Sequence, residues 1–303
     1  MTDDPNWPRS SAWLSGDRDR ARTAAIAVLG VPIRRGSISG GRFDLAPGAV
    51  RSALGRFSTW DGERDLGAVR AVDLGDLDVA SQTVEEARHT IERSIGEAPG
   101  RAPLVLLGGD NSITWAAASA LSAEGGPVGL ITLDAHHDLR GTDHGISNGA
   151  PVRALLEDGT IAGGNVWQIG IQPFANSPAY AAVATDHGIH VTRPEEVRAR
   201  GIGSVMDDAL ADLDARCDVI YVDLDVDVLD RAFAPACPGA RPGGLLPWEV
   251  HEAARLAGAH PKVRAMDLVE IDPERDVADV TVLNAARCLL GFAAGVATRK
   301  SAD

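Results

Sequence analysis

Two carboxylates and an imidazole follow one apolar run of the chain at spacings that suit metal binding. The run VGLITL at residues 128–133 predicts a buried β-strand, and the segment DAHHD follows it at residues 134–138. If the backbone stays extended there, Asp134, His136 and Asp138 point to one side, because the side chains of a strand alternate between its faces. The pattern therefore predicts that three metal-ligating groups converge at the end of a buried strand.

A second apolar run has the same kind of ending. The run VIYV at residues 219–222 leads into DLDVD at residues 223–227, in which Asp223, Asp225 and Asp227 share a face. That much negative charge at the end of a buried strand is costly unless cations neutralise it. We therefore expect a divalent metal centre of two ions between the two segments.

The donor atoms indicate which metal and which chemistry to expect. Six oxygen and nitrogen donors without a cysteine favour Mn²⁺ over Zn²⁺. Two ions that share a carboxylate would bind one water between them and lower the pKa of that water, which generates hydroxide near neutral pH. The segments therefore predict metal-assisted hydrolysis of a polar carbon centre.

Two further strand ends carry weaker signals. The segment GGDNS at residues 108–112 permits a tight turn, but glycine–aspartate turns are common after strands. The segment DLVEIDP at residues 267–273 includes Glu270, whose carboxylate could bind a cationic substrate group in a bidentate manner. By itself, Glu270 is equally consistent with an exposed carboxylate at the end of a surface strand. His137 would face away from the other ligands, so a packing role stays open for it.

The rest of the chain predicts the elements that must position these groups. From residue 24 onward, short apolar runs alternate with amphipathic helical stretches. Strands are predicted at residues 24–31, 69–74, 104–107, 128–133, 166–169, 219–224 and 263–269. Helices are predicted near Pro47 and at residues 83–95, 113–121, 150–157, 178–185, 247–256 and 277–296. This alternation predicts a three-layer α/β/α fold with a mainly parallel sheet and a ligand site beyond the carboxyl ends of the strands.

Composition and charge restrict the class of protein. The chain has 303 residues, of which 45% are hydrophobic and 24% are charged, as in a globular protein with a large core. Its formal net charge of −14 repels phosphate backbones and anionic membranes, so no nucleic-acid or membrane partner is expected. No apolar run approaches the ~20 residues of a membrane span, and the N-terminus lacks the layout of a signal peptide. We therefore expect a cytoplasmic protein with a small-molecule substrate.

No obvious linker divides the chain. Residues 1–22 are polar and charged and are interpreted as an N-terminal extension, whereas residues 23–303 are interpreted as a single catalytic domain. The three cysteines, Cys217, Cys237 and Cys288, are widely spaced and form no CxxC pair. They are expected to be plain thiols without a catalytic role.

Taken in order, these segments resemble the ureohydrolase superfamily, which includes arginase, agmatinase, guanidino-acid hydrolases and formimidoylglutamase. The superfamily motifs G-G-D-H-S, D-A-H-x-D, D-x-D-x-x-D and D-x-V-E-x-x-P all have counterparts here. The resemblance implies an arginase-like fold, two Mn²⁺ ions and a homo-oligomer, either a trimer or a hexamer. It also implies that Glu270 binds the guanidinium or amidinium group of the substrate.

The resemblance further implies a ligand set for the two ions. One ion would be held by residue 111, Asp134, Asp138 and Asp225. The other would be held by Asp134, His136, Asp225 and Asp227, with hydroxide between the ions.

Two departures from the motifs bear on the metal and on proton transfer. The family usually has histidine where this chain has Asn111. An amide oxygen is a weaker donor than imidazole, so the ion at that site is expected to bind less tightly or to be absent. Arginases and agmatinases carry a histidine before a glycine where this chain has Asn148. His144 and His137 both stay open as the residue that carries the proton.

These departures favour the formimidoylglutamase branch of the superfamily. The chain also resembles that branch in DLR at residues 138–140, in SNGAP at residues 147–151 and in the Ala- and Pro-containing loop at residues 234–244. The expected reaction is hydrolysis of N-formimidoyl-L-glutamate to L-glutamate and formamide, a step of histidine degradation, with Asp138 and His136 as catalytic residues. Substrate contacts are expected from Glu270, Asn148, Arg140 and Arg241. For the substrate carboxylates Arg140 is preferred, with Arg153 as a further candidate.

Three alternatives remain open at this point. The nearest is hydrolysis of a guanidino compound to urea, as in agmatinase or a guanidino-acid hydrolase, although the asparagine at position 148 counts against it. A metal-deficient, non-catalytic homologue is supported by Asn111, but buried aspartates without metal would be destabilising. A metal-dependent deacetylase is weaker, because no histidine pair stands apart from the metal motif.

Overall fold

The computed structural model describes residues 4, 6–15, 23–98, 102–123 and 125–299. The N-terminal extension predicted at residues 1–22 therefore lies partly outside the described residues. Its described part forms a short helix and a two-residue strand at the edge of the sheet. There the indole nitrogen of Trp13 donates a hydrogen bond to the carbonyl oxygen of Val69 (2.8 Å). Residues 10–15 thus pack against the folded body of the protein.

One parallel sheet forms the centre of the described structure. Its strands are β1 (Leu14–Ser15), β2 (Ile26–Val31), β3 (Ala71–Asp76), β4 (Leu104–Gly108), β5 (Val128–Leu133), β6 (Val166–Ile169), β7 (His190–Thr192), β8 (Val219–Leu224) and β9 (Val263–Leu268). They lie in the order β1-β3-β2-β4-β9-β8-β5-β6-β7, and every neighbouring pair is parallel. Strands β5 and β8 are buried along their whole length, which is why each reads as a continuous apolar run.

Helices cover both faces of this sheet. They are α1 (Ser10–Trp13), α2 (Ala46–Ala53), α3 (Val84–Gly96), α4 (Ile113–Ser122), α5 (Pro151–Glu157), α6 (Pro178–Asp186), α7 (Pro194–Arg200), α8 (Ile202–Arg216), α9 (Pro247–Ala259) and α10 (Val280–Val296). Helices α2, α8, α9 and α10 contribute to one hydrophobic core, and α3, α4, α5 and α6 contribute to a second. The predicted three-layer α/β/α fold is confirmed. No helix within the described ranges combines the length and the apolar character needed to cross a membrane.

The structure differs from the predicted elements in a few places. The prediction omitted α1, β1, α7, α8 and β7. It placed the second strand two residues early and began the last helix at residue 277 instead of Val280. Helix α3 begins with a capping box, in which the Thr83 hydroxyl accepts from the Glu86 amide (3.2 Å) and the Glu86 carboxylate accepts from the Thr83 amide (2.8 Å).

The strand order explains why distant segments of the chain meet. The strands β4, β9, β8 and β5 are consecutive neighbours in the middle of the sheet. Because all of them are parallel, the segments that follow them leave from the same edge. The four segments singled out in the sequence, at residues 108–112, 134–138, 223–227 and 267–273, therefore lie side by side.

Candidate metal centre and substrate cleft

A close contact between predicted ligands joins the ends of β5 and β8. The Nδ1 atom of His136 lies 2.8 Å from an oxygen of Asp227 and 3.5 Å from an oxygen of Asp134. One ligand atom from each of these three residues lies within 4.8 Å of the others, which is close enough to hold a single metal ion. Both carboxylates are buried, whereas the imidazole is partly exposed.

Asp225 and Asp227 are positioned by a single turn that follows β8. The carboxylate of Asp225 accepts a hydrogen bond from the amide of Asp227 (2.8 Å), and the carboxylate of Asp227 accepts one from the amide of Ala135 (2.9 Å). The second bond ties the end of β8 to the end of β5. Both aspartates are buried, and each also lines the cleft described below.

Asp138 also lies in this cluster, but its backbone conformation differs from the expected one. An extended backbone was expected through residue 138, but Asp138 adopts a left-handed conformation with φ of 53°. Its carboxylate nevertheless turns inward, where it accepts a hydrogen bond from the side-chain amide of Asn111 (2.6 Å). Because β5 ends at Leu133 and a bend follows at residues 135–136, the alternation of a strand does not account for the convergence of these side chains, and a left-handed turn places Asp138.

Asn111 lies beneath the cleft with its amide nitrogen toward the aspartates. Its side-chain oxygen accepts a hydrogen bond from the Thr114 hydroxyl (2.9 Å), and its backbone amide donates to the carboxylate of Glu270 (2.8 Å). The Thr114 hydroxyl also lies 2.8 Å from the carboxylate of Asp267, but it has only one hydrogen to donate. The side chain of Asn111 is thus inside the cluster, although its potential ligand atom points to Thr114.

Glu270 lines the cleft beside the aspartate cluster. It too has a left-handed backbone, with φ of 65°, and its backbone amide donates to the carbonyl oxygen of Gly109 (3.0 Å). One carboxylate oxygen, Oε1, accepts from both the Asn111 amide and the side-chain amide of Asn148 (3.0 Å). Asn148 therefore holds Glu270 in place.

The predicted substrate-binding residues all line one cleft. Its walls include Arg140, Asn148, Arg241 and Glu270 together with four predicted metal ligands, His136, Asp138, Asp225 and Asp227. The remaining two predicted ligands, Asn111 and Asp134, are buried below it. The structure thus brings the predicted site residues together.

One predicted arginine and two predicted histidines lie outside the cleft. Arg153 forms an ion pair with Glu157 on α5 (2.5 Å) and does not line the cleft. His137 faces away, with its Nδ1 atom 2.6 Å from the side-chain oxygen of Gln168, and His144 lies in an exposed turn. Neither histidine lines the cleft, as far as the described residues define it.

Burial raises the proton affinity of four carboxylates at this site. It raises the pKa of Asp134 to about 7, with the neighbouring Asp227 adding to the effect. Burial and the nearby Asp110 raise the pKa of Glu270 to about 8. The pKa values of Asp138 and Asp225 are raised as well, first by burial and then by the other aspartates. These groups therefore ionise fully at neutral pH only if positive charge is brought among them.

His136 experiences two opposing influences. Burial alone would lower the pKa of His136, but Asp227 and Asp134 outweigh burial and raise this pKa to about 11. On its other side, the guanidinium of Arg241 lies 2.9 Å from Nε2. A guanidinium can only donate, so this contact requires a free electron pair on Nε2. Because two cations at this separation would repel, only Nδ1 carries a proton in this arrangement.

Two residues at this site were not anticipated from the sequence. The thiol of Cys237 is buried, with its Sγ atom 3.9 Å from an oxygen of Asp225. Burial and Asp225 raise the pKa of Cys237 well above its usual value, so the group is a neutral thiol. Asn176, in the loop between β6 and α6, also lines the cleft. The sequence did not show that Cys237 lies beside the aspartate cluster. It also did not show that β6 pairs with β5, which brings the loop that contains Asn176 to the cleft.

The fold is that of one enzyme family. The family model for the arginase family matches residues 24–294, and the chain belongs to that family. It is therefore a hydrolase that acts on C–N bonds of linear amidines, as the superfamily resemblance predicted.

Within the family, the similar proteins include several formimidoylglutamases. The formimidoylglutamase of Halalkalibacterium halodurans is 37% identical over 283 residues, which cover 91% of this chain and 89% of the relative. The crystal structure of formimidoylglutamase from Bacillus subtilis superposes with a TM-score of 0.93 at 32% identity, covering 99% of this chain and 95% of the other. The structure of Trypanosoma cruzi formiminoglutamase with Mn²⁺ gives a TM-score of 0.88 at 28% identity, covering 97% and 100%. The predicted likeness to formimidoylglutamase and the arginase-like fold are both confirmed.

Proposed function

We propose that this enzyme hydrolyses N-formimidoyl-L-glutamate to L-glutamate and formamide and that it uses two Mn²⁺ ions. The observation that carries the proposal is one cleft that combines three kinds of group. Glu270 offers a carboxylate for an amidinium, the aspartate cluster offers metal ligands, and Arg140 and Arg241 offer positive charge for substrate carboxylates. A formimidoyl group on a dicarboxylic amino acid matches all three.

The donor set fits manganese. The buried carboxylates raise one another's pKa values, so their ionised forms need a cation, and oxygen and nitrogen donors suit Mn²⁺. The Trypanosoma cruzi relative was solved with Mn²⁺. The residues that would hold the ions are Asn111, Asp134, His136, Asp138, Asp225 and Asp227. Manganese, when bound, would lower the pKa of water and polarise the reacting C–N group.

Asn111 can serve as a ligand after rotation of its amide. Rotation by half a turn about the last side-chain bond would bring the amide oxygen toward Asp138 and the amide nitrogen toward Thr114. The Thr114 hydroxyl could then accept from Asn111 and still donate to Asp267, which lies 2.8 Å away. In the observed orientation two acceptors share the one Thr114 hydrogen, whereas the rotated amide satisfies both contacts of Thr114, and a cation would favour the rotated orientation further. The amide remains a weaker donor than imidazole, so we propose that this ion is the more weakly held.

The roles of the protein groups follow from their positions. Glu270 would bind the amidinium through charge-assisted hydrogen bonds and orient its carbon toward the aspartates. Water adds to that carbon, the bond to the glutamate nitrogen breaks, and this nitrogen takes up a proton to leave as the amine of L-glutamate. The Asp138 carboxylate, which lines the cleft, would stabilise the tetrahedral intermediate. His136 would keep its side of the cluster oriented, and formamide is the second product.

The domain organisation, cellular location and assembly of the enzyme are proposed together with its reaction. We propose a single catalytic domain over residues 23–303, a location in the cytoplasm, and a homo-oligomer, either a trimer or a hexamer. Light scattering on the purified full chain would give the mass of the assembly. A stable monomer would contradict the proposed assembly without affecting the reaction.

The reaction is tested by comparing substrates on the Mn²⁺-loaded enzyme. Release of L-glutamate and urea is assayed in parallel for four substrates: N-formimidoyl-L-glutamate, agmatine, 4-guanidinobutanoate and arginine. The control is the variant Asp225→Ala, which lacks one of the proposed metal ligands. We expect glutamate from the first substrate only and no turnover in the control. Urea from a guanidino compound would move the assignment to agmatinase or guanidino-acid hydrolase activity, which the relatives from Gallus gallus and Homo sapiens bear in their names.

A pair of arginine variants tests the carboxylate contact. Arg241→Gln removes a guanidinium from the cleft, and Arg153→Gln removes one that pairs with Glu157 on the surface. We expect the first variant to raise the KM for N-formimidoyl-L-glutamate and the second to leave it unchanged. Equal KM values for both variants would remove Arg241 from the binding site.

A further inference from the structure

The segment that carries His136 is held by side chains from outside the aspartate cluster. The backbone amide of His137 donates to the side-chain oxygen of Asn176 (2.9 Å). The side-chain nitrogen of Asn176 donates to the carbonyl oxygen of Ala135 (3.0 Å). One carboxamide thus binds the residue before His136 and the residue after it.

We propose that Asn176 is a positioning residue for the metal centre, because its carboxamide fixes the backbone on both sides of His136 and so fixes the direction in which the imidazole is presented to Mn²⁺. The inference rests on the metal centre proposed above. It assigns a role to a residue that lies outside the ligand set and outside every motif of the sequence.

The chemistry of the carboxamide suits this role. The site requires an acceptor for the His137 amide and a donor for the Ala135 carbonyl oxygen, only a few ångströms apart. An asparagine side chain supplies one of each on a short, rigid group. A carboxylate would supply two acceptors and set an oxygen against the Ala135 oxygen, and alanine would supply neither. Partners of this kind orient metal ligands, and their loss reduces metal affinity on the order of 10- to 100-fold.

The surrounding contacts indicate that loss of Asn176 leaves the fold intact. The Ala135 carbonyl oxygen also accepts from the backbone amide of Gln172 (3.0 Å), so the loop stays joined to β5 without Asn176. Gln168 holds His137 independently, since its side-chain nitrogen donates to the His137 carbonyl oxygen (2.9 Å). What Asn176 alone binds is the His137 amide, which immediately follows His136. Its removal should therefore loosen the imidazole more than the loop.

The test is a titration of metal-free protein with Mn²⁺ by calorimetry, for the wild type, Asn176→Ala and the matched control Asn284→Ala. Asn284 also donates its side-chain amide to a carbonyl oxygen, that of Phe233 (3.0 Å), but on α10. We expect two equivalents in the wild type and the control. In Asn176→Ala, one equivalent should bind as before and the other on the order of 10- to 100-fold more weakly. The melting temperature of metal-free Asn176→Ala should stay near that of wild type, and excess Mn²⁺ should restore its turnover.

A second variant, Asn176→Asp, separates orientation from charge. The added negative charge would by itself strengthen cation binding, whereas the lost donor to Ala135 should weaken it. A weaker second equivalent in Asn176→Asp therefore supports positioning, and a tighter one contradicts it. Wild-type affinity in Asn176→Ala, or equal losses in Asn176→Ala and Asn284→Ala, would overturn the role of Asn176 alone. Failure of the wild type to bind Mn²⁺ would overturn the metal centre as well.

Discussion

The carboxylate cluster predicts that metal-free protein loses stability as the pH rises. Burial raises the pKa of Asp134 to about 7 and that of Glu270 to about 8. In the unfolded chain the same groups have pKa values of about 3.9 and 4.3. Between about pH 4 and pH 7, the folded metal-free protein therefore keeps protons that the unfolded chain has released. Because the folded state binds more protons across this window, the free energy of unfolding falls as the pH rises.

The size of the effect follows from the same values. Each such group lowers the free energy of unfolding by about 1.4 kcal/mol per pH unit inside its window. From pH 5 to pH 7, Glu270 and Asp134 together would remove on the order of 3–5 kcal/mol. Domains are stable by only about 5–15 kcal/mol, so the change is a large part of the total. Mn²⁺ should reverse the sign, because it binds the ionised carboxylates and its affinity increases with pH.

Urea denaturation of chelator-treated protein at pH 5, 6, 7 and 8, with and without Mn²⁺, measures both trends. Asp134→Asn removes one titrating group, so its metal-free slope should fall by about 1.4 kcal/mol per pH unit while its stabilisation by Mn²⁺ is lost. Asp65→Asn is the control, since hydrogen bonds from Thr59 and Gly67 lower the pKa of Asp65 and keep it ionised across the window. Metal-free stability that is constant or rises from pH 5 to pH 7 would refute the reasoning.

Three substitutions at the cleft have expected outcomes of their own. Asn111→His replaces an amide by an imidazole and should tighten the weaker Mn²⁺ equivalent by about tenfold or more, as measured by calorimetry; unchanged affinity would show that residue 111 does not ligate. Gly149→Ala places a Cβ atom 2.6 Å from Cδ of Arg140 and should displace that side chain, raising the KM for N-formimidoyl-L-glutamate by up to about fivefold with kcat little changed in steady-state assays. Glu270→Gln keeps an acceptor for its neighbours but loses the charge, so kcat/KM should fall on the order of 100-fold or more with Mn²⁺ binding retained; a fall below tenfold would place the amidinium elsewhere.

The sequence predicted the central strands because burial on both faces leaves a continuous apolar run, as in β5 and β8. The omission of α8 was avoidable, because its buried residues Ile202, Val205, Met206 and Ala209 already follow the helical repeat of three and four. The omission of β7 had a physical reason. It is a three-residue edge strand that is only half-buried, so it carries no periodic signal.

The residue types of the site were readable from the sequence, but their conformations were not. Strand ends in a parallel sheet share an edge, and this alone brought four segments together. The left-handed turns at Asp138 and Glu270 could not be foreseen, because non-glycine residues adopt that conformation rarely and only where neighbours enforce it. The orientation of the Asn111 amide depends on Thr114 and Asp267, which are remote in sequence from the aspartates it faces.

The left-handed backbone conformations of Asp138 and Glu270 indicate how the site is stabilised. Such conformations cost about 1–3 kcal/mol each and persist where the surroundings determine them. At Glu270 the backbone amide is held by the carbonyl oxygen of Gly109, whose own position requires glycine because a Cβ atom there would lie 1.7 Å from the carbonyl oxygen of Ile33. At Asp138 the carbonyl oxygen accepts from the backbone amide of Arg153 at the start of α5 (3.1 Å). The strain at both residues is therefore imposed by strand and helix contacts, which place the two carboxylates in the cleft before any cation or substrate binds.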